Sequence, residues 1–210
     1  EVRMRNDLAN IRVLAEFLQK TDLKFDVLSA IKELQSQIKY EFDFKREAKN
    51  MDFARKGLKK LKISSVSIPK SIFSTDRMIV MSFVEGTNLS KLKEMKVGKI
   101  PLRIRQKKGK QIFNKLATIY GAMFFHLSKM HADPNPGNIS LPPKGGIGLL
   151  DWGQVKDVSD ELKRRLSNLI LAFNARDQRL ICESLFALGV KVTKPEDLKT
   201  VEAIAVTMFD

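Results

Sequence analysis

The chain has 210 residues and carries 38 Lys+Arg against 24 Asp+Glu, a formal net charge of +14. With 43% hydrophobic and 30% charged residues it belongs with folded rather than disordered chains, and its length allows one domain or two small lobes. One cysteine excludes an intrachain disulfide framework, and two histidines cannot alone supply a zinc site.

Helical periodicity opens the chain. Leu8, Ile11, Leu14, Ala15 and Leu18 recur at helical spacing and predict a helix over 3–20. Asp26 can cap a second helix that carries Val27, Ile31, Leu34, Ile38 and Phe42 on one stripe. After Tyr40 a new stripe begins with Phe44, Ala48, Met51 and Leu58. Phe42 and Phe44 lie about 200° apart on a helical wheel, so the region is either covered on two sides or bent near Tyr40. "VSIPKSIFSTDRMIVMSFVEG" then predicts two short strands, 68–73 and 78–83, joined by "STD". A short helix is expected at 88–95. The basic stretch "KVGKIPLRIRQKKGK" has no clear period and reads as a loop or the start of a helix.

Ile112, Leu116, Ile119, Met123 and Leu127 predict a long apolar helix over 110–130. "ISL" and "GIGLL" read as two short strands around the turn "PPKGG". Three amphipathic helices are expected at 159–174, 176–189 and 195–208, with Ser159 and Asp177 as caps and Pro195 in a first turn. Cys182 falls in "LICESLFALGV" and reads as an inert core thiol. No apolar stretch is long enough to span a bilayer, and no signal or transit pattern is visible. The start at "EVRMRNDL", without Met, and the stop at "TMFD" read as cuts through a longer protein. The order of elements predicts an α+β fold.

Two strings carry the chemistry: "HADPNPGN" at 131–138 and "LLDWGQ" at 149–154. If the strands between them pair antiparallel, the turn holding Asp133 and Asn138 comes to the same end as Asp151. Asn138 and Asp151 can then share one divalent cation through hard oxygen ligands, with nucleotide phosphates completing its shell. Asp133 has no Lys or Arg adjacent in sequence, so it can stay a carboxylate that orients a hydroxyl or accepts its proton. This is the layout of a kinase catalytic loop followed by its D-F-G strand, and Gly153 permits the sharp turn that follows. D-P-x-P-G-N is also ordinary turn chemistry. The ordered set of long helix, H-x-D-x-x-x-x-N, strand, turn, strand and D-x-G is far more specific than any one part.

"HADPNPGNI" followed by "LLDWGQV" closely resembles the UbiB (aarF-domain) atypical kinase-like family. "YEFDFKREAKNM" looks like that family's E-x-D motif and ion-pair Glu helix, "RMIVMSFVEGTNL" like its hinge strand, and "NDLANIRVLAEFL" is similar to the segment after its lysine strand. The resemblance covers essentially the whole chain. It implies a helix-rich, bilobal protein kinase-like fold, with a partial N-lobe over 1–87 and a helical C-lobe over 88–210. Asp133 matches the catalytic-loop Asp, and Asn138 and Asp151 match the Mg²⁺-binding pair. Glu47 matches the Glu that pairs with the ATP-positioning Lys, and Glu41 and Asp43 match the E-x-D pair. The hinge, Ser82, Phe83, Val84 and Glu85, would offer backbone groups to adenine.

From the residues alone, Glu47 sits at the edge of a buried stripe, where it can be aimed inward. Lys45, Arg46 and Lys49 could equally pair with it or with Asp43. The first N-lobe strands, the Lys strand, the Ala-rich loop and the K-x-G-Q segment would precede residue 1, so this piece is expected to be catalytically incomplete. Asn135 replaces the family's usual His, and Trp152 its usual Phe.

The resemblance further implies binding of ATP with Mg²⁺, an ATPase-like activity more readily than protein phosphorylation, and a role in isoprenoid-quinone or lipid homeostasis. It implies a mitochondrial, plastid or bacterial setting with membrane association. The competing class is a pseudokinase that holds a membrane or protein partner, that partner being unknown. The basic stretch 91–110 reads as solvated surface, or as a contact for an anionic membrane or lipid. Nucleic-acid binding is disfavoured, because aromatics are 8% and none interleaves with those lysines.

Overall fold

A computed structural model describes residues 11, 42–93, 101–190, 192 and 197–209. The expected helices over 3–20 and from Asp26, the bend at Tyr40, residues 94–100 and Pro195 lie outside the described residues. So does Glu41 of the E-x-D pair.

The chain forms two compact units. The first spans 1–123 and 130–156, and the second spans 124–129 and 157–210. In the first unit helix α1 (Phe44–Lys60) starts at Asp43, whose carboxylate accepts the Arg46 N–H at 2.9 Å. This is the N-cap an acidic residue makes well. Ala48, Met51, Ala54 and Leu58 are its buried stripe, spaced three or four apart. Met51 and Leu58 are fully buried, and burial of each stabilises the unit by roughly 1.5–3 kcal/mol. α1 packs on the hairpin β2 (Ser71–Ser74) and β3 (Ile79–Met81).

A four-stranded sheet carries the site. Its order is β1 (Val66–Ser67), β7 (Ile147–Leu149), β6 (Ile139–Leu141), β4 (Thr87–Asn88), with β1 parallel to β7 and the other pairs antiparallel. Register places Ser67, Gly148, Ser140 and Asn88 in one row across all four strands. Directly opposed residues share a face, so this row is small and polar, while Ile139, Ile147 and Leu149 are buried. A 3₁₀ turn (Leu89–Lys93) follows β4, and helix α2 (Leu102–Phe125) leads to β5 (Lys129–His131), which pairs with β8 (Val155–Asp157).

The second unit holds α3 (Asp160–Ala175), α4 (Gln178–Ala187) and α5 (Leu198–Phe209). Ser159 and Asp177 cap α3 and α4 as expected, accepting the Leu162 and Leu180 N–H groups. Leu169, Ile181, Leu185, Val201 and Ala205 form its core around Cys182. Burial pushes the Cys182 thiol up, which agrees with an inert thiol.

Three boundaries differ from expectation. The strand expected at 68–73 starts only at Ser71 and runs to Ser74, because Pro69 supplies no N–H to a ladder. The strand expected at 78–83 narrows to Ile79–Met81. The helix expected at 110–130 runs from Leu102 and stops at Phe125, after which Ser128 takes a left-handed φ of 54° and the chain turns extended.

Candidate active site

The catalytic-loop string is a turn fastened at both ends. Ala132 N–H donates to Gln154 C=O at 2.8 Å, which ties its start to the segment after Asp151. Asn135 caps the 3₁₀ turn Pro136–Asn138, its side chain accepting the Gly137 N–H at 2.8 Å and its carbonyl the Asn138 N–H at 2.8 Å. The residue in the family's usual His position thus has a local structural role here.

Asn138 then donates its side-chain N–H to Asp133 Oδ2 at 2.8 Å. Donation from Nδ2 leaves the Asn138 Oδ1 lone pairs for another ligand. Across the hairpin, Ile139 pairs with Leu149, and Leu150 N–H donates to Asn138 C=O at 3.0 Å. The next residue is Asp151, so antiparallel pairing does bring Asn138 and Asp151 to one end. Asp151 Oδ1 accepts the Gly153 N–H at 3.0 Å, which leaves Oδ2 open.

The donor set suits a hard divalent cation: one amide oxygen and one carboxylate oxygen, both half-buried. Among the described residues no group of three or more His, Cys, Asp or Glu stands ready to hold a metal. A two-residue set fits Mg²⁺, which keeps waters and phosphate oxygens as its remaining ligands.

Glu47 lies on the first turn of α1 and accepts the Trp152 N–H at 3.3 Å. Burial pushes its carboxyl pKa up, the Trp152 N–H pulls it back, and the nearby Asp151 charge raises it again. Of its basic neighbours, Arg46 donates to Val155 C=O at 3.1 Å, and Lys45 pairs with Asp76 at 2.9 Å. Asp43 caps the same helix and is exposed.

Several residues that hold this site gave little sequence signal. His131, only 2% exposed, stands edge-on to Tyr120 and Trp152, with ring centroids 6.0 and 5.0 Å away. Its Nε2–H donates to Asp151 C=O and its Nδ1 meets Tyr120 O–H at 3.4 Å. Burial lowers the His131 pKa, which favours the neutral ring this pattern needs. Burial and the Asp133 charge push Tyr120 up to about 12, so it stays a phenol. Trp152 is fully buried, donates its indole N–H to Leu149 C=O at 3.2 Å, and receives Asn50 Nδ2 on its carbonyl at 3.2 Å. Asn88 reaches from β4 to the Gly137 carbonyl, while its own Oδ1 accepts the Ser90 N–H at 2.9 Å and hydroxyl at 2.6 Å.

In the segment expected to be the hinge, Ser82 is committed to the hairpin: its N–H donates to Lys70 C=O at 2.9 Å and its hydroxyl accepts the Lys70 N–H at 2.9 Å. Phe83, Val84 and Glu85 make no backbone hydrogen bond among the described residues. Phe83 is 87% exposed.

Residues 1–185 match the ABC1 atypical kinase-like domain. The chain belongs to the ABC1 atypical kinase-like family. It is 26% identical over 193 residues to AarF domain-containing kinase 1 of Drosophila melanogaster, covering 89% of this chain and 36% of that protein. It is 27% identical over 194 residues to the chloroplastic protein ACTIVITY OF BC1 COMPLEX KINASE 8 of Arabidopsis thaliana, covering 89% and 24%. A solved Mycobacterium tuberculosis protein, Rv3197 in complex with erythromycin, superposes with a TM-score of 0.65 at 20% identity, over 96% of this chain and half (50%) of the other. The α+β kinase-like fold expected from the motifs is therefore the fold observed. The chain spans between 24% and 36% of the length of these two curated relatives.

Proposed function

We propose that the intact protein binds ATP with Mg²⁺ and either hydrolyses it or transfers its γ-phosphoryl group. One observation carries this reading: Asp133, Asn138 and Asp151 meet at one end of a single hairpin, with Asp133 bonded to Asn138 at 2.8 Å and the Asn138 and Asp151 strands joined beside them.

In this reading Asn138 Oδ1 and Asp151 Oδ2 would hold the Mg²⁺. When bound, the cation offsets negative charge on the phosphates. Asp133 orients a water or hydroxyl through a carboxylate oxygen and takes its proton, while the Asn138 amide fixes the carboxylate's rotamer. His131 holds the Asp151 carbonyl, and Glu47 holds the next N–H, so the backbone that carries Asp151 is fastened on both sides. Phe83–Glu85 offer peptide groups to the base. Glu47 would also meet the ATP-positioning Lys, and Glu41 and Asp43 would face the substrate side. We keep a functional lobe boundary at residue 87, with a partial N-lobe over 1–87 and a helical C-lobe over 88–210.

The finer setting rests on the family. A role in isoprenoid-quinone or lipid homeostasis follows from the resemblance. The chloroplastic names of several relatives support a plastid setting, with a mitochondrion as the other organelle. No helix among the described residues is long and apolar enough to cross a membrane. The basic surface is what would meet an anionic membrane.

The test is thermal stabilisation by ATP with and without Mg²⁺, on the longest natural form of the protein, beside Asp151→Asn. A Mg²⁺-dependent shift that Asp151→Asn abolishes is expected. No shift in a chain that carries the upstream lysine would overturn the enzyme reading in favour of a kinase-shaped scaffold.

A further inference from the structure

Away from the hairpin, the far end of α1 borders a groove of about 510 Å³. Arg55 and Lys59, one helical turn apart, line one side, and Lys62 stands at the turn that follows. Ile63, Val66 and Ile68 give it an apolar lining. Among the described residues that line it, none is acidic. Asp52 bonds Arg55 Nη2 at 3.1 Å and is not among the described residues that line the groove.

Three features bear on how these cations are used. First, the helix C-terminus is already satisfied by backbone: Leu61, Lys62 and Ile63 N–H groups donate to Gly57, Lys59 and Leu58 carbonyls at 3.0 Å. The ammonium groups of Lys59 and Lys62 are therefore not needed to cap it. Second, Arg55 Nε is buried and has no hydrogen-bond partner. An unpaired buried donor is costly, and with Asp52 on Nη2 alone the guanidinium charge at the groove is only partly compensated. Third, Lys62 holds a left-handed φ of 60°. That position after a helix strongly favours glycine, and a strained non-glycine residue is a pointer to function.

We propose that this groove is a second ligand site, which takes a phosphomonoester carried on a small soluble apolar body. The phosphate would meet Lys59 and Lys62, with the Arg55 guanidinium beside them, and the apolar body would lie on Ile63, Val66 and Ile68. A volume near 510 Å³ is the size of a small-molecule pocket. The site is independent of Asp133, Asn138 and Asp151, so it stands or falls apart from the nucleotide reading.

The probe is phenyl phosphate, titrated into this chain and followed by amide NMR shifts. Saturable shifts at 61–68 are expected, and Lys59→Gln with Lys62→Gln should weaken them by about tenfold, the scale of lost charge-assisted hydrogen bonds. Lys62→Gly separates ligand binding from folding: it should raise Tm by relieving the backbone while weakening phenyl phosphate. Shifts confined to 133–138 and 151, an affinity that the lysine variants leave alone, or no saturation would each overturn the proposal. Vesicles of phosphatidylcholine doped with phosphatidic acid form the second arm. Lysine-dependent binding to them, without phenyl phosphate binding, would overturn the soluble ligand and assign the groove to a bilayer.

Discussion

The side-chain amide of Asn138 donates to the carboxylate of Asp133 at 2.8 Å, closing the turn between the proposed proton acceptor and the proposed cation ligand. That bond makes the turn sensitive to charge. Asn138→Asp would set two carboxylates within hydrogen-bond distance, and both cannot ionise there. The variant is expected to lose stability at pH 7 and to recover much of it near pH 4, where one carboxyl is protonated and can donate. Melting curves at the two pH values check this, at about 2–4 °C per kcal/mol for a chain of this size. An equal loss at both would show that the pair is not held as described.

Glu47 provides a second pH signature. Its pKa is raised from the ordinary 4.5, chiefly by burial. A carboxyl that holds its proton more tightly when folded favours the native state at low pH, and that contribution is lost as pH rises above 4.5 through the raised value. Glu47→Gln removes the titration and keeps an amide oxygen for the Trp152 N–H. The variant is therefore expected to show a flatter Tm between pH 4 and 7 and to be at least as stable as the parent at pH 7. Parallel Tm–pH curves for the two proteins would refute it.

Much of this site was legible because the chemistry sits on one continuous stretch. A hairpin has a fixed geometry, so spacing alone put Asp133, Asn138 and Asp151 at one end. The Ala48, Met51, Leu58 stripe was legible from its period, and caps such as Ser159 and Asp177 from residue type. What could not be read were contacts between distant segments that depend on side-chain reach. Nothing in "EGTNL" says that Asn88 meets Gly137, 49 residues away. The H-x-D spacing marks His131, but not that its ring lies between Tyr120 and Trp152. Strand ends were misjudged where one proline broke a ladder at position 69, and the end of α2 because its apolar period runs on past Phe125 to Leu127.

Asn88 is expected to act through the catalytic loop rather than by touching a ligand. Asn88→Ala removes the donor to Gly137 C=O and the acceptor for Ser90, at a cost of about 1–3 kcal/mol. Asn88→Asp keeps the acceptor but sets a charge against the carbonyl, so it should fail to rescue. Both are expected to raise the Mg²⁺ concentration needed for nucleotide-dependent stabilisation, because Gly137 immediately precedes Asn138. A variant that lowers Tm and leaves the Mg²⁺ dependence unmoved would reduce Asn88 to a purely structural residue.

The polar row across the sheet gives a test of packing by non-additivity. Ser140 is 2% exposed, and its hydroxyl has no hydrogen-bond partner. A side chain at Gly148 would run into that hydroxyl and approach Val84 Cγ1 at 3.0 Å. Ser140→Ala removes an unpaired buried polar atom and is expected to be neutral or stabilising. Gly148→Ala overpacks the row and should cost about 1–3 kcal/mol. In the double variant the new methyl no longer meets an oxygen, so part of that loss should return; the contact with Val84 keeps recovery incomplete. Chemical denaturation of the three variants measures the coupling directly. Strict additivity would mean that Ser140 and Gly148 do not face one another across the β6–β7 pair, and the register that brings Asn138 beside Asp151 would be wrong with it.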